Sequence, residues 1–536
     1  MISISSQTSP RSRAFFWFSR LFAGASAPRP LLAVIGIFIG AFMTSLHTRM
    51  ISVGQRDLGG VFGLSIDEMA WLITVLNASQ LLIAPAVPWF ATVFGMVRVV
   101  GIAGVLLLLA CIATPYATSI EVIFALHIAQ GILLGIFLSV TLLIVFKSLR
   151  PALWIAVMAF YGLRIVVGVN VGVPMAGVFA DGLGWQWIYW TTGLLSMCMV
   201  WMIWKALPGQ ITDKAMLKRT DWPGIIMFCG GLTLLYAGID QGERLDWLGS
   251  GVVVSCLVGG AALALIALVR AEFTPAAFPS RAGISNRNIL LGFVLAGLYG
   301  MLISANAALV STFLSVMGGL KAIQMGWVLL FAVAGNIAAI PIVIWLGRRV
   351  DARVNLALGL TLFAIAAVMG TTLTNEWRAH EFTLLLVVMG VAHSFVFVGL
   401  MAVIVSNVVP QNILSMLSFI PVIRIILPTI SAAALSAWLR NQGAHYRAVL
   451  GESLPAGDTR VAGQITALQE RYAGMGAGDP VFQAKAGVGK LIAREANVLA
   501  FMDGFHLVLA VCLVALFVSL LVRAAPWNPV SPPLKK

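Results

Sequence analysis

Apolar stretches of about 20 residues recur along almost the whole chain, and short polar segments separate them. A helix needs roughly 20 mostly apolar residues to span a bilayer, whereas a barrel strand would need about ten residues of alternating polarity. The apolar run 97–113 has no such alternation. We therefore predict an all-α polytopic membrane protein with fourteen spanning helices, at residues 31–54, 69–91, 97–117, 120–145, 152–175, 186–205, 222–239, 248–269, 288–316, 322–346, 354–374, 382–406, 413–438 and 499–522.

Composition agrees with this pattern and excludes several classes of protein. Hydrophobic residues make up 60% of the 536 residues and charged residues only 10%, against about 25% charged residues in a typical soluble domain. A soluble enzyme, a nucleic-acid-binding protein, a secreted disulfide-rich protein and a disordered protein are excluded as descriptions of the whole chain. The five cysteines lie singly inside apolar runs, so we predict neither a disulfide nor a metal site from them.

The predicted membrane topology explains much of the formal net charge of +14. With the N-terminus inside, 20 of the 34 Lys and Arg residues lie in or beside the predicted cytoplasmic loops and tails, and only 4 lie in the short external loops. Basic residues concentrate on the cytoplasmic side of membrane proteins. We therefore predict that both termini are cytoplasmic and that no nucleic-acid partner is needed to explain the charge.

Several local motifs follow one another along the predicted spans. They are Trp71-Leu-Ile-Thr74 with Pro85, Gln130-Gly131, the glycines 168, 172 and 177 followed by Asp181 and Trp185-Gln-Trp-Ile-Tyr189, and Arg348-Arg-Val-Asp-Ala-Arg353. In this order they resemble the 14-helix drug/proton antiporters (EmrB/QacA type) of the major facilitator superfamily, over about residues 31–525. The resemblance implies a major facilitator fold in the cell inner membrane, with six, two and six helices.

The arrangement of six, two and six helices also predicts where each part of the chain begins and ends. The two extra helices lie between the repeats, and a shared cavity is expected near the midplane, where the repeats meet. The predicted parts are a cytoplasmic tail (1–30), a first six-helix repeat (31–205), a linker with two extra helices (206–270), a second six-helix repeat (271–522) and a cytoplasmic tail (523–536). The second repeat includes a long periplasmic loop, 439–498, which is either a loose excursion or a docking surface.

The resemblance also implies roles for individual residues. Motif or gating roles fall to Gly95, Arg98, Gly168, Gly172, Pro174, Gly177, Asp351 and Arg353. His47 stands where the family has an aspartate, and His127 stands where it has an arginine. Together with His393, at the matching position in the second repeat, they are our candidates for proton coupling, because histidine changes its charge near neutral pH.

Ionisable side chains inside spans are costly and mark functional sites by default. Arg164 and Arg424 lie near the midplane of the fifth helix of each repeat, and no Asp or Glu lies well inside a span. We predict that both arginines line the cavity and select anionic amphipathic substrates; bonds to backbone carbonyls or side-chain amides are the alternative. Further cavity candidates, for which hydrogen bonds between helices are the alternative role, are Gln80, Gln130, Asn170, Tyr299 and Asn306.

These observations predict a secondary transporter that exports amphipathic drugs or toxic organic compounds from the cytoplasm. No Walker-type nucleotide motif occurs in the sequence, so an ion gradient, expected to be protons, would drive export. An integral-membrane enzyme acting on lipid, or a non-transporting scaffold, is the alternative. We predict no catalytic residue, metal or cofactor. Expected partners are a small-molecule substrate, protons, the lipid bilayer and, by the resemblance, a periplasmic adaptor protein with an outer-membrane channel.

Overall fold

The computed structural model describes residues 29–149, 151–207, 212–274, 279–280, 283–408, 412–452, 459–473 and 479–524. Within these ranges every regular element is a helix, which confirms the predicted all-α fold. Most of the two predicted tails, residues 1–28 and 525–536, lies outside the described residues.

The predicted first repeat consists of helices joined by short turns. A 3-10 turn at Ala84–Ala86 joins the helices Ile66–Leu81 and Val87–Phe94, because Pro85 and Pro88 interrupt regular helical hydrogen bonding there. The helices are α1 (Pro30–Val53), α2 (Gln55–Phe62), α3 (Ile66–Leu81), α4 (Val87–Phe94), α5 (Met96–Ala113), α6 (Ile120–Ser148), α7 (Pro151–Val178) and α8 (Trp187–Ala206).

The rest of the chain contributes the extra pair and the second repeat. Single π-helical turns interrupt two of its spans, at Asn306–Ser311 and at Val422–Ile426; such turns often occur at functional sites. The helices are α9 (Trp222–Gly242), α10 (Gly251–Phe273), α11 (Arg287–Ala305), α12 (Thr312–Val316), α13 (Ala322–Gly347), α14 (Ala352–Gly370), α15 (Phe382–Val405), α16 (Ile413–Pro421), α17 (Leu427–Glu452), α18 (Thr459–Ala473) and α19 (Pro480–Leu520).

Thirteen helical segments in the described ranges are long and apolar enough to cross a membrane. The helix α8, the sixth predicted span, is not among them, since its four tryptophans and Tyr189 lower its mean hydropathy. It nevertheless packs against α1 and α5 inside the bundle, and Tyr189 and Thr192 on it are fully buried. The count of fourteen spans therefore stays a prediction.

The two repeats meet through α7, which packs against α13 and α15. Near the start of α7, Ile155 and Ala159 join Val343 and Val398 in one apolar cluster. Near its end, a Cβ on Gly177 would lie 2.7 Å from the backbone nitrogen of Ile323. These close contacts hold the two predicted repeats together along α7.

The extra pair α9–α10 lies against both repeats. The two helices approach closely, because a Cβ on Gly231 would lie 2.7 Å from the backbone nitrogen of Ala264. The helix α9 in turn packs against α3 of the first repeat and α17 of the second. One of the two extra helices is therefore part of the central bundle.

The segment 439–498 differs from the predicted loop, because most of its described residues are helical. The helix α17 continues to Glu452, and α19 already begins at Pro480. Between them, α18 is a separate helix of 15 residues. The hydroxyl of Tyr446 donates to Asp503 Oδ2 (2.6 Å) and ties α17 to α19. Hydropathy missed these extensions because it detects only the apolar part of a helix.

Candidate functional site

A cavity of about 660 Å³ lies between the two repeats and the extra helix α9. Leu138, Tyr161 and Phe397 line its deep part, whereas Ser52 and Glu243, near helix ends, line its rim. We call these two regions the deep end and the rim of the cavity. Four arginines (Arg49, Arg164, Arg244 and Arg424) and two carboxylates (Asp240 and Glu243) line the cavity.

The deep end holds the two arginines predicted from the sequence, and both lie beside Tyr161. The guanidinium carbon atoms of Arg164 and Arg424 are 4.8 and 5.3 Å from the centroid of its ring. Each arginine therefore makes a cation–π contact with Tyr161. Arg424 lies in the π-helical turn of its span, which shifts the side-chain positions of that helix relative to a regular α-helix.

Hydrogen bonds satisfy these guanidinium groups only in part. Arg164 Nη1 donates to Ser45 Oγ (2.8 Å), and Arg424 Nη1 donates to the carbonyl of Leu138 (2.7 Å) and to the hydroxyl of Tyr161. Arg164 Nε and Arg424 Nη2 are buried without a hydrogen-bond partner among the described residues. A buried donor without a partner costs free energy, so the deep end can gain by accepting an anion.

The charged residues at the rim are mostly paired. Arg244 donates to Asp67 and, through Nε, to Gln241 Oε1 (2.6 Å). Arg440 Nη2 lies 2.9 Å from Glu243 Oε1. Asp240 Oδ2 accepts a hydrogen bond from Thr74 (2.5 Å), the threonine of the Trp71-x-x-Thr74 motif.

The structure places two of the three histidine candidates away from the cavity. His47 is fully buried, with Nε2 donating to Gln130 Oε1 (3.0 Å) and Nδ1 beside Thr192 Oγ1 (2.9 Å). His127 donates from Nδ1 to the carbonyl of Ile123 (2.7 Å), and its Nε2 accepts from Tyr189 (3.1 Å). Neither histidine lines the cavity, and neither does Gln130.

His393, the third candidate, lies next to the cavity rather than in it. Its Nε2 donates to the carbonyl of Gly162 (3.2 Å), so that its Nδ1 accepts from Tyr299 (2.6 Å), which lines the cavity. His393 and Asn170 both line a small adjacent void. Asn170 donates to the carbonyl of Val166 (2.9 Å), one turn back on its own helix.

Two polar candidates remain, Gln80 and Asn306. Gln80 lines the cavity and donates to Asn77 Oδ1 (3.1 Å). The backbone of Asn306 begins a π-helical turn, but its side chain lies outside the described residues. The cavity therefore contains Arg164, Arg424, Gln80 and Tyr299 of the seven cavity candidates.

The small-residue motif of α7 faces two different helices. A Cβ on Gly168 would lie 2.5 Å from Ser45 Cβ, and one on Gly172 would lie 2.8 Å from Arg49 Cγ, both on α1. Gly177 instead approaches α13, as does Pro174, whose Cβ lies 2.3 Å from the position of a Cβ on Gly326. The motif thus lets α7 contact both α1 and α13, where small residues permit close approach of helix backbones.

The remaining motif residues lie just before a helix or in its first turn. Gly95 has a φ of +92°, a conformation that favours glycine, between α4 and α5, and Arg98 is exposed. Asp351 precedes α14 and accepts from the Arg353 side chain (3.1 Å). Partial burial favours a higher pKa for Asp351, but the hydrogen bonds from Arg353 hold this pKa below its usual value.

Sequence reasoning missed two residues that organise the cavity. Tyr161 supports both arginines, and its spacing of three residues from Arg164 on a helix was the available signal. Asp240 lies in the cavity wall although it is near the end of α9. Its role depends on the packing of α9 between the repeats, which no local pattern in the sequence predicts.

Comparisons with known proteins agree with this architecture. A sequence profile described as Major Facilitator Superfamily matches residues 37–420. The chain is 23% identical over 436 residues to the multidrug export protein EmrB of Haemophilus influenzae, which covers 78% of this chain and 82% of that protein. It is 22% identical over 221 residues to the fatty acid resistance protein FarB of Neisseria gonorrhoeae, which covers 41% of this chain and 43% of FarB.

A solved structure shares the fold. The crystal structure of the human organic anion transporter MFSD10 matches with a TM-score of 0.50 at 13% identity, and the match covers 92% of this chain and 100% of that one. The family profile spans well over half of the chain, and the predicted resemblance to EmrB is confirmed. The protein is therefore a member of the Major Facilitator Superfamily of multi-pass membrane transporters.

Proposed function

We propose that this protein exports amphipathic drugs or toxic organic compounds across the cell inner membrane and that it prefers substrates with an anionic group. The observation that carries the preference is the pair of buried guanidinium groups at Tyr161, each with a donor that lacks a partner within the described part of the chain. Its relatives include proteins named for multidrug export and for fatty acid resistance. Fatty acids are amphipathic anions, so FarB supports this charge preference.

The balance of charge favours an anion at the deep end. Arg244 and Glu243 are each paired near the rim, with Asp67 and Arg440 respectively. Arg164 and Arg424 have no ion pair with a carboxylate among the described residues. A carboxylate can accept two parallel hydrogen bonds from a guanidinium, and Leu138 and Phe397 offer apolar surface nearby.

The charge preference can be tested with a matched acid and amine of equal chain length. We expect purified protein in proteoliposomes to transport the acid at least about tenfold faster than the amine, which corresponds to about 1.4 kcal/mol. Protein-free vesicles measure passive leak, which differs between the two compounds. Equal rates, or faster amine transport, would contradict the proposal. Transport by the chain alone would also distinguish a transporter from a lipid-modifying enzyme or a scaffold.

Protons are the proposed driving ion, and His47 is the proposed coupling residue. His47 Nε2 donates to Gln130, which donates in turn to Thr114, and a titratable side chain in such a network supports the proposed role. We expect His47→Ala to abolish proton flux coupled to substrate, measured with a pH-sensitive dye inside the vesicles. Thr192→Val removes one hydrogen bond and keeps the imidazole, so it should retain coupled flux. Coupled flux in His47→Ala would remove this residue from the mechanism.

The helical extension formed by α18 and α19 is the proposed docking surface for a periplasmic adaptor. Leu468 and Tyr472 of α18 pack near Gly487 of α19, while most other α18 side chains are exposed. Replacing residues 453–479 with a flexible linker keeps the Tyr446–Asp503 contact. We expect this variant to lose resistance in intact cells but to retain transport in proteoliposomes. Full resistance in cells would contradict adaptor docking at α18.

A further inference from the structure

Asp240 lines the cavity but has no role in the proposed function. It lines the cavity from the last turn of α9, where the helix dipole disfavours a negative charge. Its Oδ2 accepts from the hydroxyl of Thr74 (2.5 Å), and its Oδ1 accepts from the hydroxyl of Tyr236 (3.4 Å). Both donors are neutral, so neither cancels the charge of the carboxylate.

Three cationic side chains in or beside the cavity, Arg49, Arg244 and Arg440, have other partners. Arg244, one turn further along α9, donates to Asp67 and Gln241. Arg440 pairs with Glu243, and Arg49 donates from Nε to the carbonyl of Val169 (3.3 Å). Asp240 therefore makes no ion pair with the described residues. A half-buried carboxylate without a cation gains from binding one.

Two contacts show how far Asp240 lies from the deep end. Tyr236 of α9 interacts with Thr429 of α17, and further along both helices Glu243 meets Arg440, so the two helices run in the same direction. The hydroxyl of Tyr236 reaches both Asp240 and Thr429, so the Asp240 carboxylate lies at about the depth of Thr429. At a rise of about 1.5 Å per residue, Arg424 lies roughly 7.5 Å before Thr429.

The cavity thus has an anion-binding end and a carboxylate separated by roughly 7.5 Å along the bundle. Asn77, Gln80 and Pro428 line the same cavity. A ligand with opposite charges at that spacing could satisfy both ends at once. A purely anionic ligand would leave Asp240 unpaired.

We propose that Asp240 forms a second subsite, which binds the ammonium group of an amphoteric substrate whose carboxylate binds at Arg164 and Arg424. Thr74 and Tyr236 position the carboxylate, and the Trp71-x-x-Thr74 motif thereby contributes to substrate specificity. This inference rests on the proposed function, because it assumes that the arginine pair binds a carboxylate.

The test uses 12-aminododecanoic acid and its N-acetyl derivative, which keeps the carboxylate and loses the positive charge. We expect purified wild-type protein in detergent to bind the amino acid about tenfold more tightly than the derivative, as a net ion pair of modest strength would give. Asp240→Asn should bind both compounds equally, with unchanged affinity for the derivative. Asp503→Asn is the matched control, since Asp503 also accepts from a tyrosine hydroxyl but lies outside the cavity.

Equal wild-type binding of the amino acid and its derivative would overturn the subsite, and this comparison does not depend on whether any variant folds. An equal loss of both ligands in Asp240→Asn would also overturn it. The proposed function fails separately if wild type binds dodecylamine more tightly than dodecanoic acid. If that amine binding is lost in Asp240→Asn, the cation subsite stands without the anion site.

Discussion

Arg424→Gln is expected to reduce transport of an anionic amphipathic substrate by about 10- to 100-fold, because a hydrogen bond to a charged group contributes about 1.5–3 kcal/mol. The substitution removes one of the two positive charges at the deep end, together with Nη2, which has no hydrogen-bond partner among the described residues. Arg164→Gln should have a similar effect, since its guanidinium contacts the same ring. Both variants should lose acid transport selectively, while transport of a neutral amphipathic compound changes little.

The control is Arg440→Gln at the rim. Its side chain is 57% exposed and pairs with Glu243, and an exposed ion pair contributes little. Initial rates in proteoliposomes with equal amounts of folded protein give the comparison. Unchanged acid transport in Arg424→Gln, or an equal loss for the neutral compound, would show that the arginine has a structural role.

Gly131→Ala is expected to lower the thermal unfolding temperature of the purified protein well below that of wild type. A Cβ at position 131 would lie 1.9 Å from Ser79 Oγ and 2.3 Å from the carbonyl oxygen of Leu76. The serine can rotate away, but the backbone carbonyl cannot, so α6 must separate from α3. Overpacking of this kind costs about 1–3 kcal/mol or more.

Gly101→Ala, on the neighbouring helix α5, is the matched control. Apart from its chain neighbours and the backbone of its own helix, no atom of the described residues lies within 4 Å of a Cβ at that position, and alanine is the better helix former. We expect no loss of stability in this variant. An unfolding temperature of Gly131→Ala equal to that of Gly101→Ala would contradict the tight contact between α3 and α6.

The sequence predicted which segments form helices more accurately than where these helices end. The run 382–406 became the helix Phe382–Val405, because its continuous apolar residues leave no alternative to a buried helix. The run 499–522, however, is the last part of a helix that starts at Pro480. Polar residues outside the bilayer carry no hydropathy signal, so contacts such as Tyr446 with Asp503 had to be seen in the structure.

The candidate residues predicted most accurately were those that carry a charge near the middle of a membrane span. Arg164 and Arg424 were identified because an arginine near the midplane is costly, and both line the cavity. His47 and His127 looked equally promising, yet their bonds to Gln130 and Tyr189 hold them in the packed interior of the first repeat. A helical residue inside a bundle can face either a cavity or a neighbouring helix, and its depth within the predicted span does not distinguish these two orientations.

The sequence by itself determined the all-helical membrane fold, because apolar runs in a bilayer must satisfy their backbone hydrogen bonds internally. It also determined that two arginines would lie at similar depth in matching helices. Only the tertiary structure decided that both contact Tyr161 and that α9 brings Asp240 into the same cavity. The physical reason is that hydropathy is a property of each segment, whereas the facing of side chains depends on close approaches between helices, such as Gly168 with Ser45.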